Sequence, residues 1–281
     1  MIWDSLKNVM SNNSRQTNQL YVRNLLKEVM HFYILNYIYS DEDYRNLIFT
    51  GGTCLRRCFN LPRLSEDLDF NYEEKLDLDK FASGLEKHFK EDLQFSDLSI
   101  KKGPALRSLF LKFAVLQKLG YSKNRAESDI LLVRLDFHPN ESEFFKTETS
   151  TVSGEEFFFI ARRYDLSTLF ANKIIALLER VYKKGPQQTE SFKGRDVFDL
   201  VWFLEQGIKT GLKPNYERLK DFGKLETKEN LVNNILEKIN KVEDKSLQTD
   251  LSSFFANPVS IANFCANYKD IIKNDIGKVI T

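Results

Sequence analysis

The sequence predicts an α+β protein in which a mixed β-sheet with flanking helices is followed by a helical lobe. Three observations carry this. Residues 46–160 hold short apolar strand patterns punctuated by turn residues, residues 1–45 read as helices, and the pattern from about residue 164 onward is helical. In the N-terminal helices Leu20, Val22, Leu25, Leu26, Val29, Met30, Phe32 and Leu35 form a nearly continuous apolar face, suited to bracing a sheet. Strands are expected near 46–50, 64–71, 97–102, 107–116, 130–137 and 156–160, with a helix near 78–90. Polar connections at 183–194 and 241–248 divide the helical part. The expected organisation is a sheet domain over 1–160, bracing helices included, and a helical domain over 161–281 that completes a cleft.

At 281 residues and 42% hydrophobic content the chain can bury a sizeable core. A net charge of +1 argues against a protein that coats nucleic acid indiscriminately, but the charge is uneven. Residues 101–125 contain Lys101, Lys102, Arg107, Lys112, Lys118, Lys123 and Arg125 and no acid, interleaved with Phe110, Phe113 and Tyr121 in the manner of a hairpin. Such a stretch can track an RNA backbone, as can a second one from Arg162-Arg163 to Lys183-Lys184; solvated faces show the same pattern. Cys54, Cys58 and Cys265 include no CxxC motif and are expected to be reduced, which points to the cytoplasm. The N-terminus lacks the profile of a signal peptide and no run of 18 apolar residues occurs, so no membrane association is expected.

The most informative stretch runs from Gly51 to Phe70. Ile48 and Phe49 lead into Gly51-Gly52, where the missing Cβ atoms permit a sharp turn and a close approach to backbone N–H groups. Leu55 and Phe59 then mark a short helix, closed by Pro62, whose N-terminus suits a phosphate. Leu64 to Phe70 reads as a strand with Leu64, Leu68 and Phe70 on one face and Ser65, Asp67 and Asp69 on the other. Two aspartates about 7 Å apart on an open face repel each other, and a cation such as Mg²⁺ between them resolves this. The alternative is a half-exposed strand with a polar outer face.

Gly51-Gly52-Thr53, the run Arg-x-Ser-Glu-Asp-Leu-Asp-Phe ending at Phe70, Lys173, and Arg195-Asp196-Val197-Phe198-Asp199-Leu200 together resemble the AbiEii/AbiGii family of nucleotidyltransferase toxins. These belong to the DNA polymerase β-like nucleotidyltransferase superfamily. The resemblance covers roughly residues 45–205. It departs from the generic superfamily spacing in that fourteen residues separate Gly52 from Asp67, and it fits the toxin branch. The resemblance implies a nucleotidyltransferase-type mixed sheet, with Asp67 and Asp69 as the metal-binding pair and Gly51, Gly52 and Thr53 on the nucleotide phosphates. It also implies Mg²⁺, with Mn²⁺ as the substitute, and an NTP donor from which an NMP is moved to an acceptor with release of pyrophosphate. The acceptor it suggests is RNA, such as the 3′ end of tRNA, and the biological setting a bacterial toxin countered by a cognate antitoxin in phage defence or growth control.

The remaining candidates rest partly on that resemblance. Leu135-Asp136-Phe137 ends an apolar strand in the form the superfamily uses for a third acid, a metal ligand beside Asp67 and Asp69 or the base that activates the acceptor hydroxyl; the alternative is a strand-end aspartate turning into His138-Pro139-Asn140. His138 has no second His or Cys at a metal-binding spacing and reads as a turn or packing residue. Lys173 and Arg180 lie about 10.5 Å apart along one side of an amphipathic helix, and the resemblance assigns Lys173 to the triphosphate; otherwise it is a solvated lysine. Asp196, near a helix N-terminus, favours the helix dipole or pairs with Arg195 or Lys173 in the structural reading, and in the family's Arg-Asp-x-x-Asp-Leu run it is preferred over Asp199 for the site. Ser65 is read as positioning phosphate or accepting a modification, or as a structural residue. Two rival functions remain: a non-catalytic nucleotide- or RNA-binding protein on the same fold, and a metal-dependent nuclease.

Overall fold

The computed structural model describes residues 1–103, 107–122, 128–154, 156–180, 182–184, 189–191 and 193–281. Lys123 and Arg125 of the basic stretch lie outside them. The described residues form two compact units, one comprising Met1–Asn140 with Thr147–Arg163 and the other Glu141–Lys146 with Tyr164–Thr281.

The first unit is built on a seven-stranded sheet. Its elements are α1 (Ile2–Asn12), α2 (Gln19–Ser40), β1 (Ile48–Thr50), α3 (Gly51–Phe59), β2 (Asp67–Tyr72), α4 (Leu78–Lys87), β3 (Leu98–Lys102), β4 (Ser108–Ala114), β5 (Ile130–Pro139), β6 (Thr147–Ser153) and β7 (Phe158–Tyr164). The strand order is β3-β4-β5-β2-β1-β7-β6. The strands β3, β4 and β5 pair antiparallel, β5 with β2 and β1 with β7 parallel, and β2 with β1 antiparallel, so the sheet is mixed.

Registry fixes which side chains share a face. Opposite partners put Phe49, Phe70 and Phe137 on one side, joined by Leu68, Leu109, Leu111, Phe113, Leu131, Val133 and Leu135, all buried. Phe81 of α4 meets Phe137 edge to face, and Leu26, Met30, Ile34 and Ile38 of α2 are likewise buried. This is the core face, and its alternation with half-exposed neighbours is the period of two that a one-sided sheet requires.

The bounds correct several expectations. Pro62 does not end α3; Asn60 does, in the left-handed region at φ 58°, with the N–H of the following Leu61 donated to the Leu55 carbonyl at 3.1 Å. The strand expected from Leu64 begins at Asp67, so Ser65 precedes it and is buried rather than displayed beside the aspartates. The polar strand β6 had no apolar alternation to announce it, and only Val152 of its side chains is buried.

The second unit is mainly helical: α5 (Leu166–Glu179), the short β8 (Tyr182–Lys184) and β9 (Thr189–Ser191), α6 (Gly194–Thr210), α7 (Tyr216–Asp221), α8 (Lys228–Asn240), α9 (Asp244–Leu251) and α10 (Pro258–Ile280). Asp165 caps α5 by accepting from the Thr168 N–H, and Phe170 stacks on Phe203 of α6 at 4.5 Å. Among the described residues no helix is long and apolar enough to cross a membrane.

Candidate active site

The open face of the first unit carries charge in rows. Thr50, Asp69, Asp136 and Ser108 stand opposite one another across β1, β2, β5 and β4, with Asp136 and Ser108 buried and Thr50 and Asp69 half-buried. One pair along, Asp67 faces Arg134, which faces Phe110, which faces Lys101. Asp67 and Asp69 thus share a face, as the alternation expects, and Asp136 joins them from the neighbouring strand. Asp136 is not a turn residue, because β5 continues through Pro139. Its carboxylate accepts from the Ser108 hydroxyl and, at 2.9 Å, from Nε of Arg134.

The start of α3 abuts this row. Gly51 has φ +76°, and a Cβ there would collide with the Asp69 carboxylate. Only glycine satisfies both conditions without strain. A Cβ on Gly52 would lie 2.8 Å from a guanidinium nitrogen of Arg63 and 2.9 Å from the Ser65 hydroxyl, so these two side chains fill the space behind the turn. The Thr53 hydroxyl, fully buried, donates to the Asp67 carbonyl and ties α3 to β2; it is therefore a brace, and only the backbone of Thr53 remains for a phosphate. Thr50 makes no side-chain cap, so the first-turn N–H groups of α3 keep the anion-binding capacity of an uncapped helix start.

Two supporting residues escaped the sequence reading. Arg63 is 2% exposed behind Gly52, and a buried arginine in a motif cannot be told from an exposed one by its letter. His31 of α2 is buried and donates from Nε2 to the Glu66 carbonyl at 3.0 Å, holding the chain as it enters β2. Burial, helped by the nearby Arg57 charge, pushes the His31 pKa down to about 3, so the ring is neutral.

In the second unit two ion pairs link α5 to α6. Lys173 binds Asp199 at 2.6 Å, with Asp199 fully buried, and Arg180 binds Asp196 at 2.7 Å. Asp196 thus pairs with neither Arg195 nor Lys173, while its place in the first turn of α6 agrees with the helix-dipole reading. The acid brought to Lys173 is Asp199, which stands one helical turn further along α6, where the antiparallel crossing places it. Lys173 is 15% exposed at its side chain and is not a solvated lysine.

A divalent cation suits the hard oxygen donors of Asp67 and Asp69, two like charges on one face beside a glycine that leaves room. Among the described residues no three His, Cys, Asp or Glu side chains converge as they stand, since Asp136 is turned to Arg134 and Ser108.

The chain is similar to known proteins. The family model described as nucleotidyl transferase AbiEii toxin, type IV toxin–antitoxin system, matches residues 34–274. Among solved structures, MenT4, a nucleotidyltransferase toxin from Mycobacterium tuberculosis, aligns over 95% of this chain and 88% of its own with 14% identity and a TM-score of 0.55, a likeness of fold. A putative nucleotidyltransferase from H. pylori covers 90% of this chain and 96% of its own at 20% identity, TM-score 0.42. An antigenic nucleotidyltransferase-like protein from Paracoccidioides brasiliensis covers 86% and 99% at 15% identity, TM-score 0.41. No curated protein matches the chain.

Proposed function

Because the chain belongs to the AbiEii nucleotidyl transferase toxin family of type IV toxin–antitoxin systems, we propose that it moves an NMP from an NTP to the 3′ hydroxyl of an RNA such as tRNA, on the open sheet face. The chain is a nucleotidyltransferase with an NTP substrate and an antitoxin as its counterpart. The observation that carries the finer reading is the row in which Asp69 and Asp136 stand opposite each other, one pair from Asp67, against the glycine start of α3.

In this reaction the RNA hydroxyl oxygen attacks the α-phosphorus, the bond to the β-phosphate oxygen breaks, and pyrophosphate leaves. The backbone N–H groups at Gly51, Gly52 and Thr53 bind phosphate oxygens, with Arg63 adding positive charge behind the turn. Asp136, fixed by Ser108 and Arg134, takes the hydroxyl proton. Lys173 serves the triphosphate as a cation, held by Asp199, while Asp196 anchors Arg180. Ser65 sits behind Gly52 and positions the phosphate turn. Asp67 and Asp69 would hold Mg²⁺ or Mn²⁺, which when bound neutralises charge on the phosphates. The setting is cytoplasmic growth control or phage defence.

Purified protein incubated with each α-labelled NTP, total bacterial RNA and Mg²⁺ tests this. Label is expected in RNA, with equimolar pyrophosphate, and is abolished by a chelator. RNA cleavage without NTP would instead identify a nuclease, and NTP binding without pyrophosphate release a non-catalytic binder.

A further inference from the structure

The basic stretch 101–125 is not one surface. Lys102 shares the packed face with Leu109 and pairs with Asp79. Lys118 pairs with Asp97 at 2.7 Å and lies over the Trp3 ring. What remains on the open face is Lys101 of β3 and Lys112 of β4, neither with an ion-pair partner among the described residues. Registry adds a cation that the stretch itself does not contain, Arg134 of β5, whose guanidinium carbon stands 5.8 Å from the Phe110 ring centre. Phe110 is half-buried, with Lys101 opposite it on one side and Arg134 on the other, and Leu132 faces Lys112 in the next row.

The row Lys101, Phe110, Arg134, Asp67 is therefore a ring flanked by cations that ends at an acid of the candidate site, about 14 Å across at the usual strand spacing. We propose that this row seats the single-stranded 3′ end of the acceptor RNA, an inference that rests on the RNA reading above. Lys101 and Lys112 neutralise its phosphates, a base stacks on Phe110, and the terminal hydroxyl points along the row toward Asp67 and Asp136. A single strand suits this surface better than a duplex, because an aromatic ring on a sheet face is usable only by an unstacked base. Charge complementarity and continuity with the acids distinguish the row from an ordinary solvated face. Arg134 has a second task, since it also holds Asp136, and so couples the seated strand to the acid that takes its proton.

The test is fluorescence anisotropy on the full chain with a short single-stranded RNA and a blunt RNA duplex, across a salt series. Lys101→Ser combined with Lys112→Ser is expected to weaken single-strand binding about tenfold or more and to flatten the log–log salt slope by about 1.4, two contacts at roughly 0.7 each. Phe110→Leu is expected to weaken it by about tenfold with the slope unchanged, a signature that loss of charge does not give. NTP binding and the thermal midpoint serve as fold controls and should match wild type. If wild type binds the RNA and both variants keep its affinity and slope, the row is not the seat, while the RNA reading survives. If wild type binds no RNA and transfers label to protein instead, both fall. Equal affinity for the blunt duplex would also overturn the proposal.

Discussion

On the packed side of the sheet Phe49, Phe70 and Phe137 stack across three strands at 5.5 and 5.4 Å between ring centroids, while on the open side the same strands carry Thr50, Asp69 and Asp136. Neighbours in sequence thus face different surroundings, one holding the fold by apolar burial and the other standing on the face to which we assign the ligand. The lesson is that stability and turnover can be separated one residue at a time along β2. Asp196 and Asp199 make the contrast sharper, for they are acids of the same kind, buried in ion pairs of the helical unit, where charge does structural work as well.

The largest effect on stability is expected on the packed face. Phe70→Ala removes a fully buried ring between two others and should cost about 3–5 kcal/mol in urea denaturation. A loss below about 1 kcal/mol would show that the stack is not the core it is taken for.

Lys173→Ala should act on both counts. It leaves the fully buried Asp199 without its cation, costing about 3 kcal/mol, and it raises the KM for NTP. Adding Asp199→Asn should restore the denaturation midpoint but not the KM. Recovery of both would mean that Lys173 serves the fold alone.

Gly51→Ala is a smaller perturbation of stability, about 1–2 kcal/mol for a side chain at φ +76°, yet it drives a methyl group into the Asp69 carboxylate. Turnover should fall more than the midpoint does, and equal proportional losses would detach the glycine from the site.

The smallest effect is one of pH. His31 has its pKa lowered from 6.5 to about 3 in the folded chain, so the unfolded chain binds the proton first. This contribution is complete above pH 6.5 and is lost as pH falls toward 3, the loss being on the order of 1 kcal/mol by pH 5.5. His31→Gln should flatten the stability curve between pH 6.5 and 5, and an unchanged slope would place the titration elsewhere.

Much of the open face was legible because period two and glycine chemistry are local. Leu68 and Phe70 against Asp67 and Asp69 can be read from the letters, as can the need for Gly51 at a sharp turn. What could not be read depended on registry or burial. Lys101 and Lys102 look alike until the pairing of β3 with β4 separates them, and Arg134 enters the basic surface from a strand some thirty positions along. The partner of Lys173 was likewise set by how α5 crosses α6. Polar β6 gave no signal because an edge strand with one buried side chain needs no apolar alternation.

The division of labour between the faces is tested most directly by Asp69→Asn and Phe70→Ala side by side, with pyrophosphate release from NTP and the urea midpoint measured for each. For Asp69→Asn the expected result is turnover reduced about 100-fold or more with the midpoint unchanged. For Phe70→Ala it is a lowered midpoint, with turnover per folded molecule kept within about threefold under conditions where the chain is folded. Wild-type turnover in a correctly folded Asp69→Asn chain would contradict the assignment of catalysis to the open face.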